Sequence, residues 1–329
     1  MSLAKRLCLW IALLLFLPLF ALMLLVAQPT LSATRRTTGE ADPVRLRRHV
    51  EVLSRDFTPR TYADTQNMAR CRSYLEDAFR ASGARVTGQV YRVSGIPCAN
   101  IVALIPGKSA ERVVVGAHYD AVGTTPGADD NASGVAGLLE LARLLQGTTP
   151  ARTIELVAYC TEEPPCFGGE LMGSYRHAQA LSRARIPIRA MIALEMIGFF
   201  SDEPGSQTYP FPALRLFYPS RGHFIGVVAD MRQWRLVRRI KRSMKSVKAL
   251  PVYSVTVPDA IPGIDYSDHR SYWEFGFPAV MVTDTAFYRN VNYHTPRDTA
   301  DRLDYARMGL TVDAVREAVC DLAGVPPPR

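Results

Sequence analysis

The chain has 329 residues, 48% of them hydrophobic and 21% charged. That supplies one sizeable core and excludes a disordered polypeptide. The net charge of +8 is spread over Arg35, Arg36, Arg45, Arg47 and Arg48 and over the stretch from Arg232 to Lys248, with no interleaved aromatic stripe, so no nucleic-acid partner is expected.

In chain order, Lys5 and Arg6 precede an unbroken apolar run at residues 7–27. This exceeds the ~7–15 residues of a signal-peptide core and reaches the ~20 that span a bilayer. Residues 1–30 therefore read as a signal-anchor or signal peptide, with a membrane contact through the apolar segment. The remainder is then expected outside the cytoplasm, membrane-anchored, or secreted if cleaved. Residues 31–42, rich in Thr, Arg, Ser and Ala, read as a linker, and residues 43–329 as one folded domain.

Within that domain, residues 44–53 and 65–81 pattern as helices. Residues 85–93 and 100–105 pattern as strands, followed by a short β-branched strand at 112–117. A helix is expected over 131–145, a strand over 153–159, a helix over 170–181 and a strand over 188–196. A strand at 224–228 and a basic amphipathic helix at 230–247 follow, then a strand at 279–283 and a closing helix at 304–322. Short apolar strands alternating with helices predict an α/β fold with a central, mostly parallel mixed sheet. Chemistry in such sheets collects beyond the carboxyl ends of the strands.

Metal-capable residues fall in those places. His118-Tyr119-Asp120 follows the strand at 112–117, Glu162-Glu163 follows 153–159, Glu195 sits in an apolar strand end, and His294 lies beyond 279–283. Gly127-Ala128-Asp129-Asp130-Asn131 stands at a helix entrance. Alone, each has a plain alternative: a hydrogen-bonded loop pair, a helix cap, a loop histidine. A lone carboxylate at Glu195, in apolar surroundings, is costly without a cation. Together they form an N/O donor set suited to zinc or a similar transition metal, with acid groups to spare for a second ion. Cys160 and Cys166 bracket the Glu162-Glu163 loop, either as a disulfide in an exported protein or as two thiols.

These segments, with Leu194-Glu195-Met196-Ile197-Gly198 and Tyr293-His294-Thr295-x-x-Asp298-Thr299, occur in an order that resembles the zinc aminopeptidase family. That family includes bacterial secreted leucyl aminopeptidases, aminopeptidase Y, glutamate carboxypeptidase and, more distantly, glutaminyl cyclases. The resemblance covers about residues 46–323. It implies a three-layer α/β/α zinc-exopeptidase fold and a metal-dependent exopeptidase, of aminopeptidase type, holding two zinc ions and acting on a peptide or aminoacyl substrate.

By the same resemblance, Asp129 is expected to bridge the two metals, with a cis Asp129–Asp130 bond and Asp130 beside it. His118 and Glu195 would complete one metal site, Glu163 and His294 the other. Glu162 would be general base and acid, and Asp120 would orient His118. Tyr293 matches an oxyanion-steadying tyrosine, and Asp268 matches a recurrent segment of less defined role. Glu195 departs from the aspartate usual at its position. The stretch 201–224, rich in Pro, Tyr and Phe, follows that ligand and reads either as a pocket wall or as surface packing. The competing readings are a single-zinc glutaminyl cyclase-like acyltransferase and a receptor-like relative without catalysis.

Overall fold

Strand β3 (Ser109–His118) shows why the sheet is central. Val113, Val115 and Ala117 enter one hydrophobic cluster, while Val114 enters another on the opposite face. Successive side chains alternate faces, so a continuous β-branched run fits a strand covered on both sides. The computed structural model describes residues 39–326 continuously, together with 23–31 and the single positions 5, 8, 10, 14, 16, 17 and 20.

Eight strands form one sheet: β1 (Arg85–Val93), β2 (Ile96–Ile105), β3, β4 (Arg152–Tyr159), β5 (Ile188–Glu195), β6 (Ile225–Ala229), β7 (Val252–Thr256) and β8 (Ala279–Thr283). Their spatial order is β1-β2-β4-β3-β5-β8-β6-β7. The central β4, β3, β5 and β8 are mutually parallel, β1 and β2 pair antiparallel at one side, and β6 runs antiparallel to β8 at the other. The expected α/β fold with a mixed sheet is therefore observed.

Between residues 39 and 326 the α-helices are α1 (Pro43–Glu51), α2 (Thr65–Ala81), α3 (Gly134–Leu144), α4 (Gly173–Arg183), α5 (Trp234–Met244), α6 (His269–Glu274) and α7 (Tyr305–Ala323). Residues of α1, α2, α3, α5 and α7 pack in the larger core on one face. Ala178 and Leu181 of α4 and Tyr272 of α6 pack on the other, which makes three layers. Two elements, β7 and α6, have no counterpart among the sequence expectations. At 6 residues α6 is too short for a helical period, and β7 alternates buried and half-buried positions where β6 and β8, of the same length, are buried throughout.

Among the described residues no helix is long and apolar enough to cross a membrane. This overturns the expected transmembrane signal-anchor and the membrane contact through it; part of the 7–27 run lies outside the described residues. Residues 25–30 instead lie along α5 and β7. Lys241 Nζ donates to the carbonyls of Ala27 and Gln28 at 2.7 and 3.1 Å, and Thr256 Oγ1 donates to that of Leu25 at 2.6 Å. At the end of the expected linker, the Glu40 and Ala41 amides donate to Asp313.

Candidate metal centre

The parallel strands deliver the site residues to one edge. His118 ends β3, Glu162 and Glu163 follow β4, Glu195 ends β5, and His294 lies beyond β8. Three positions there, Thr161, Met196 and His294, adopt left-handed φ values of 65°, 49° and 56°. Non-glycine residues rarely take this conformation, and it concentrates at functional sites.

Asp130 is the hub. Its Oδ1 lies 3.4 Å from His118 Nε2 and its Oδ2 lies 3.1 Å from His294 Nε2. On one side, Glu195 Oε2 is 3.4 Å from the same His118 nitrogen. On the other, Glu163 Oε2 is 3.3 Å from His294 Nε2. The donor atoms of His118, Asp130 and Glu195, and those of Asp130, Glu163 and His294, each lie within 4.8 Å of one another. Glu162 also approaches, 3.9 Å from His118 Nε2.

Here the sequence expectation is corrected by one residue. The cis bond is Asp130–Asn131, not Asp129–Asp130. The Asp129 carboxylate faces away from the cluster: Oδ1 accepts from the Gly198 amide at 3.0 Å and Oδ2 from Asn290 Nδ2 at 2.8 Å. The structure thus puts Asp130 where the resemblance put Asp129, and Asp129 in the supporting position. The turn Ala128–Ser133 departs from helical geometry at Asp130 and Asn131 and turns adjacent carboxylates in different directions. It requires Gly127, whose φ is +55° and where a Cβ would stand 2.3 Å from the Asp130 carbonyl.

The remaining expected residues sit at the site. Asp120 accepts from the Glu162 and Glu163 amides at 3.1 and 3.0 Å, and its Oδ1 lies 3.4 Å from His118 Nδ1. One carboxylate thus sets both the imidazole and the Glu162-Glu163 loop. Glu195 points into the cluster and accepts from Ser267 Oγ at 2.7 Å. The extra methylene relative to aspartate does not turn it away. Tyr293 stacks its ring on His294, 3.8 Å between centroids. Asp268 is fully buried behind this group. Cys160 and Cys166 are both thiols, without a disulfide between them.

Several supporting residues went unrecognised in the sequence. Asp298 accepts from the Asp129 and Asp130 amides at 3.0 Å each. Its place in the Tyr293–Thr299 motif was a signal that position alone could not interpret. Asn131 Oδ1 takes the Gly134 and Met196 amides, tying the turn to β5. Arg60 is buried and gives its guanidinium to the carbonyls of Leu53, Tyr119, Pro126 and Gly127. It clamps the loop after His118 to the turn before Asp130, across some 60 residues of chain that no local pattern connects.

The electrostatics call for a cation. Burial pushes Glu163 up to about 7, with Asp130 adding to it and His294 opposing. Burial likewise raises Glu162 well above the carboxylate range, with Glu195 and Glu163 reinforcing it against His118. Burial works against charge on the two imidazoles. It is outweighed at His294 by Asp130 and Glu163, which lift that ring to about 10, and at His118 by Glu195 and Glu162. Asp130 is held low by both histidines despite its burial. Glu163 Oε1 is buried with no hydrogen-bond partner among the described residues. An orphaned carboxylate oxygen beside imidazoles that must borrow protons fits a site built for divalent metal, with N and O donors suited to zinc.

An α/β fold with this donor set at its strand ends is the framework of a metallopeptidase-type protein. Residues 100–319 match the model of Peptidase family M28, and the chain belongs to that family. It is 47% identical over 301 residues to the uncharacterized protein YfbL of Escherichia coli K12, covering 89% of this chain and 92% of that one. It is 30% identical over 224 residues to a probable leucine aminopeptidase of Arthroderma otae, covering 64% of this chain and 53% of the relative. The chain thus spans about half the length of that fungal relative. Among solved structures, a zinc aminopeptidase from Bacillus subtilis superposes with a TM-score of 0.70 at 16% identity, over 88% of this chain and 96% of that one. A glutaminyl cyclase from Fimbriiglobus ruber superposes with a TM-score of 0.65 at 20% identity, over 88% and 99%. These likenesses concern the fold.

Proposed function

We propose that the protein is a metal-dependent aminopeptidase that holds two zinc ions. The observation that carries the reading is the Asp130 carboxylate set between two histidines, each with its own acid. His118 and Glu195 would hold one ion, Glu163 and His294 the other, and Asp130 both. Zinc, when bound, supplies Lewis acidity and lowers the pKa of water to ~7.

This chain's own residues supply the rest. Glu162 is buried beside the cluster, and burial raises its pKa, which makes the carboxylate a stronger base. It accepts the proton of the attacking water and delivers it to the leaving nitrogen as the C–N bond breaks. Asp120 keeps that loop in place through two backbone amides. Burial, reinforced by Asp130 and Glu162, raises the pKa of the Tyr293 phenol, so it remains a donor for the developing oxyanion. The fungal relative named as a probable leucine aminopeptidase supports a free N-terminal residue as substrate.

The deciding experiment combines zinc analysis with hydrolysis of aminoacyl anilides and peptides. Two zinc per chain with aminoacyl hydrolysis supports the reading. One zinc with cyclisation of an N-terminal glutamine peptide would replace it by the cyclase reading, and zinc binding without turnover by the receptor-like one.

A further inference from the structure

Four residues lie side by side across four strands, starting at the metal centre. Glu195 of β5 is level with Thr283 of β8, Thr283 with Gly226 of β6, and Gly226 with Tyr253 of β7. Three strand spacings make this row roughly 14 Å long. A second row, Met281, Val228 and Val255, runs beside it on the same face. Over both rows lies a cavity of about 210 Å³, reaching from Glu195 and Tyr293 to Tyr253. Its roof includes Tyr209, Phe211 and Leu214 from the 201–224 stretch, so that stretch does wall a pocket. Among the described residues, Glu195 is the only charged one in the lining.

Two features set the kind of occupant. A cavity of about 150 Å³ holds a benzene ring, so this one exceeds a leucine side chain, and its length exceeds the reach of any apolar side chain from a backbone at Glu195. Midway along the floor stands Gly226, inside a buried strand, with a φ outside the left-handed region. Its φ does not require glycine, and a Cβ would stand 3.3 Å from the Thr283 carbonyl, 3.8 Å from Val228 and 3.9 Å from Thr285. Glycine weakens a strand interior and marks places where a ligand approaches closely. Here its missing side chain keeps the floor of the channel open.

We propose that this site also hydrolyses amides whose acyl half is an extended, unbranched hydrocarbon chain, which lies along the channel from Glu195 towards Tyr253. The inference rests on the amide-hydrolase reading above and adds an activity to it. Water adds its oxygen to the acyl carbon, the C–N bond breaks, and the nitrogen leaves with the proton as a free amine beside a fatty acid.

The test uses the full chain loaded with zinc and two substrate series: acetyl, butyryl, hexanoyl, octanoyl and decanoyl anilides, and alanyl, leucyl and phenylalanyl anilides. In the acyl series kcat/KM is expected to rise about threefold to fourfold per methylene that enters the channel. Gly226→Val is expected to lower the ratio of octanoyl to butyryl kcat/KM at least tenfold. Val255→Phe, at the far end, should lower the ratio of decanoyl to hexanoyl. Ratios separate a blocked channel from a damaged fold, which would depress all chain lengths together. Hydrolysis of aminoacyl anilides with no acyl hydrolysis, or a rate independent of chain length, overturns this proposal alone. If the zinc-loaded protein turns over neither series, the amide-hydrolase reading falls with it.

Discussion

The carboxylate of Asp130 lies between His118 and His294, 3.4 Å from one Nε2 and 3.1 Å from the other, while the carboxylate of Asp129 points into the protein. The two neighbours in sequence therefore predict unequal losses. Asp130→Ala removes the shared donor and should lower zinc affinity by more than about a hundredfold, since even outer-shell partners are worth 10–100-fold. Burial and the neighbouring Asp284 raise the Asp129 pKa, and both of its oxygens accept from N–H donors, so Asn keeps its shape but replaces one acceptor by an amide nitrogen. Asp129→Asn should cost about 10–100-fold, the range of a supporting partner, and so less than Asp130→Ala. Chelator competition measures both, and equal losses would reject the distinction.

Glu162 is buried at the edge of the cluster, and its amide is fixed by Asp120. Glu162→Gln preserves shape and loses the proton acceptor. Turnover should fall about 10²–10⁴-fold while zinc content is unchanged. A variant that hydrolyses at near the parent rate would reassign the base.

The sequence and the structure agree where one residue type in one place has few uses. His118, Glu163, Glu195 and His294, which the structure brings together, were legible because they stand at or beyond the carboxyl ends of strands whose apolar runs are covered on both faces. The choice between Asp129 and Asp130 was not, because both are carboxylates in the same motif and only the backbone path through Asn131 decides which one faces inward. Arg60 was invisible for a different reason. Its partners are main-chain carbonyls, which every residue has, so no side-chain pattern announces them. The cavity over β6 and β7 likewise depends on register between strands distant in sequence.

Zinc binding should release protons. In the metal-free molecule His294 is lifted to about 10 and Glu163 to about 7, so near pH 7 the imidazole is protonated and the carboxyl partly so. Both must lose those protons to bind metal. Zinc affinity should therefore weaken as pH falls from 8 to 6, roughly tenfold or more per pH unit. Calorimetry in buffers of different ionisation enthalpy should report release of one proton or more per chain. An enthalpy independent of buffer would show that the site is already deprotonated.

Acid sensitivity should also arise far from the site, at His49 of α1. Its Nδ1 lies 2.7 Å from the Tyr74 hydroxyl of α2. Burial lowers its pKa to about 4, and Glu140 only partly opposes this. The unfolded chain has a histidine near 6.5. Between these values the unfolded state binds a proton that the folded state does not, so stability falls as pH drops from about 6.5 towards 4. His49→Phe keeps a ring against Tyr74 and removes this titration. It leaves the Tyr74 hydroxyl without its partner, so at pH 8 the variant should be less stable by about 1 kcal/mol. Because the parent loses stability on acidification and the variant lacks this loss, the gap should close, or reverse, by pH 5. Groups elsewhere titrate alike in both proteins and cancel in the difference. Urea unfolding of the pair at pH 8, 6.5 and 5 measures it, and a gap that stays constant across those values would mean that His49 takes up its proton in the folded state.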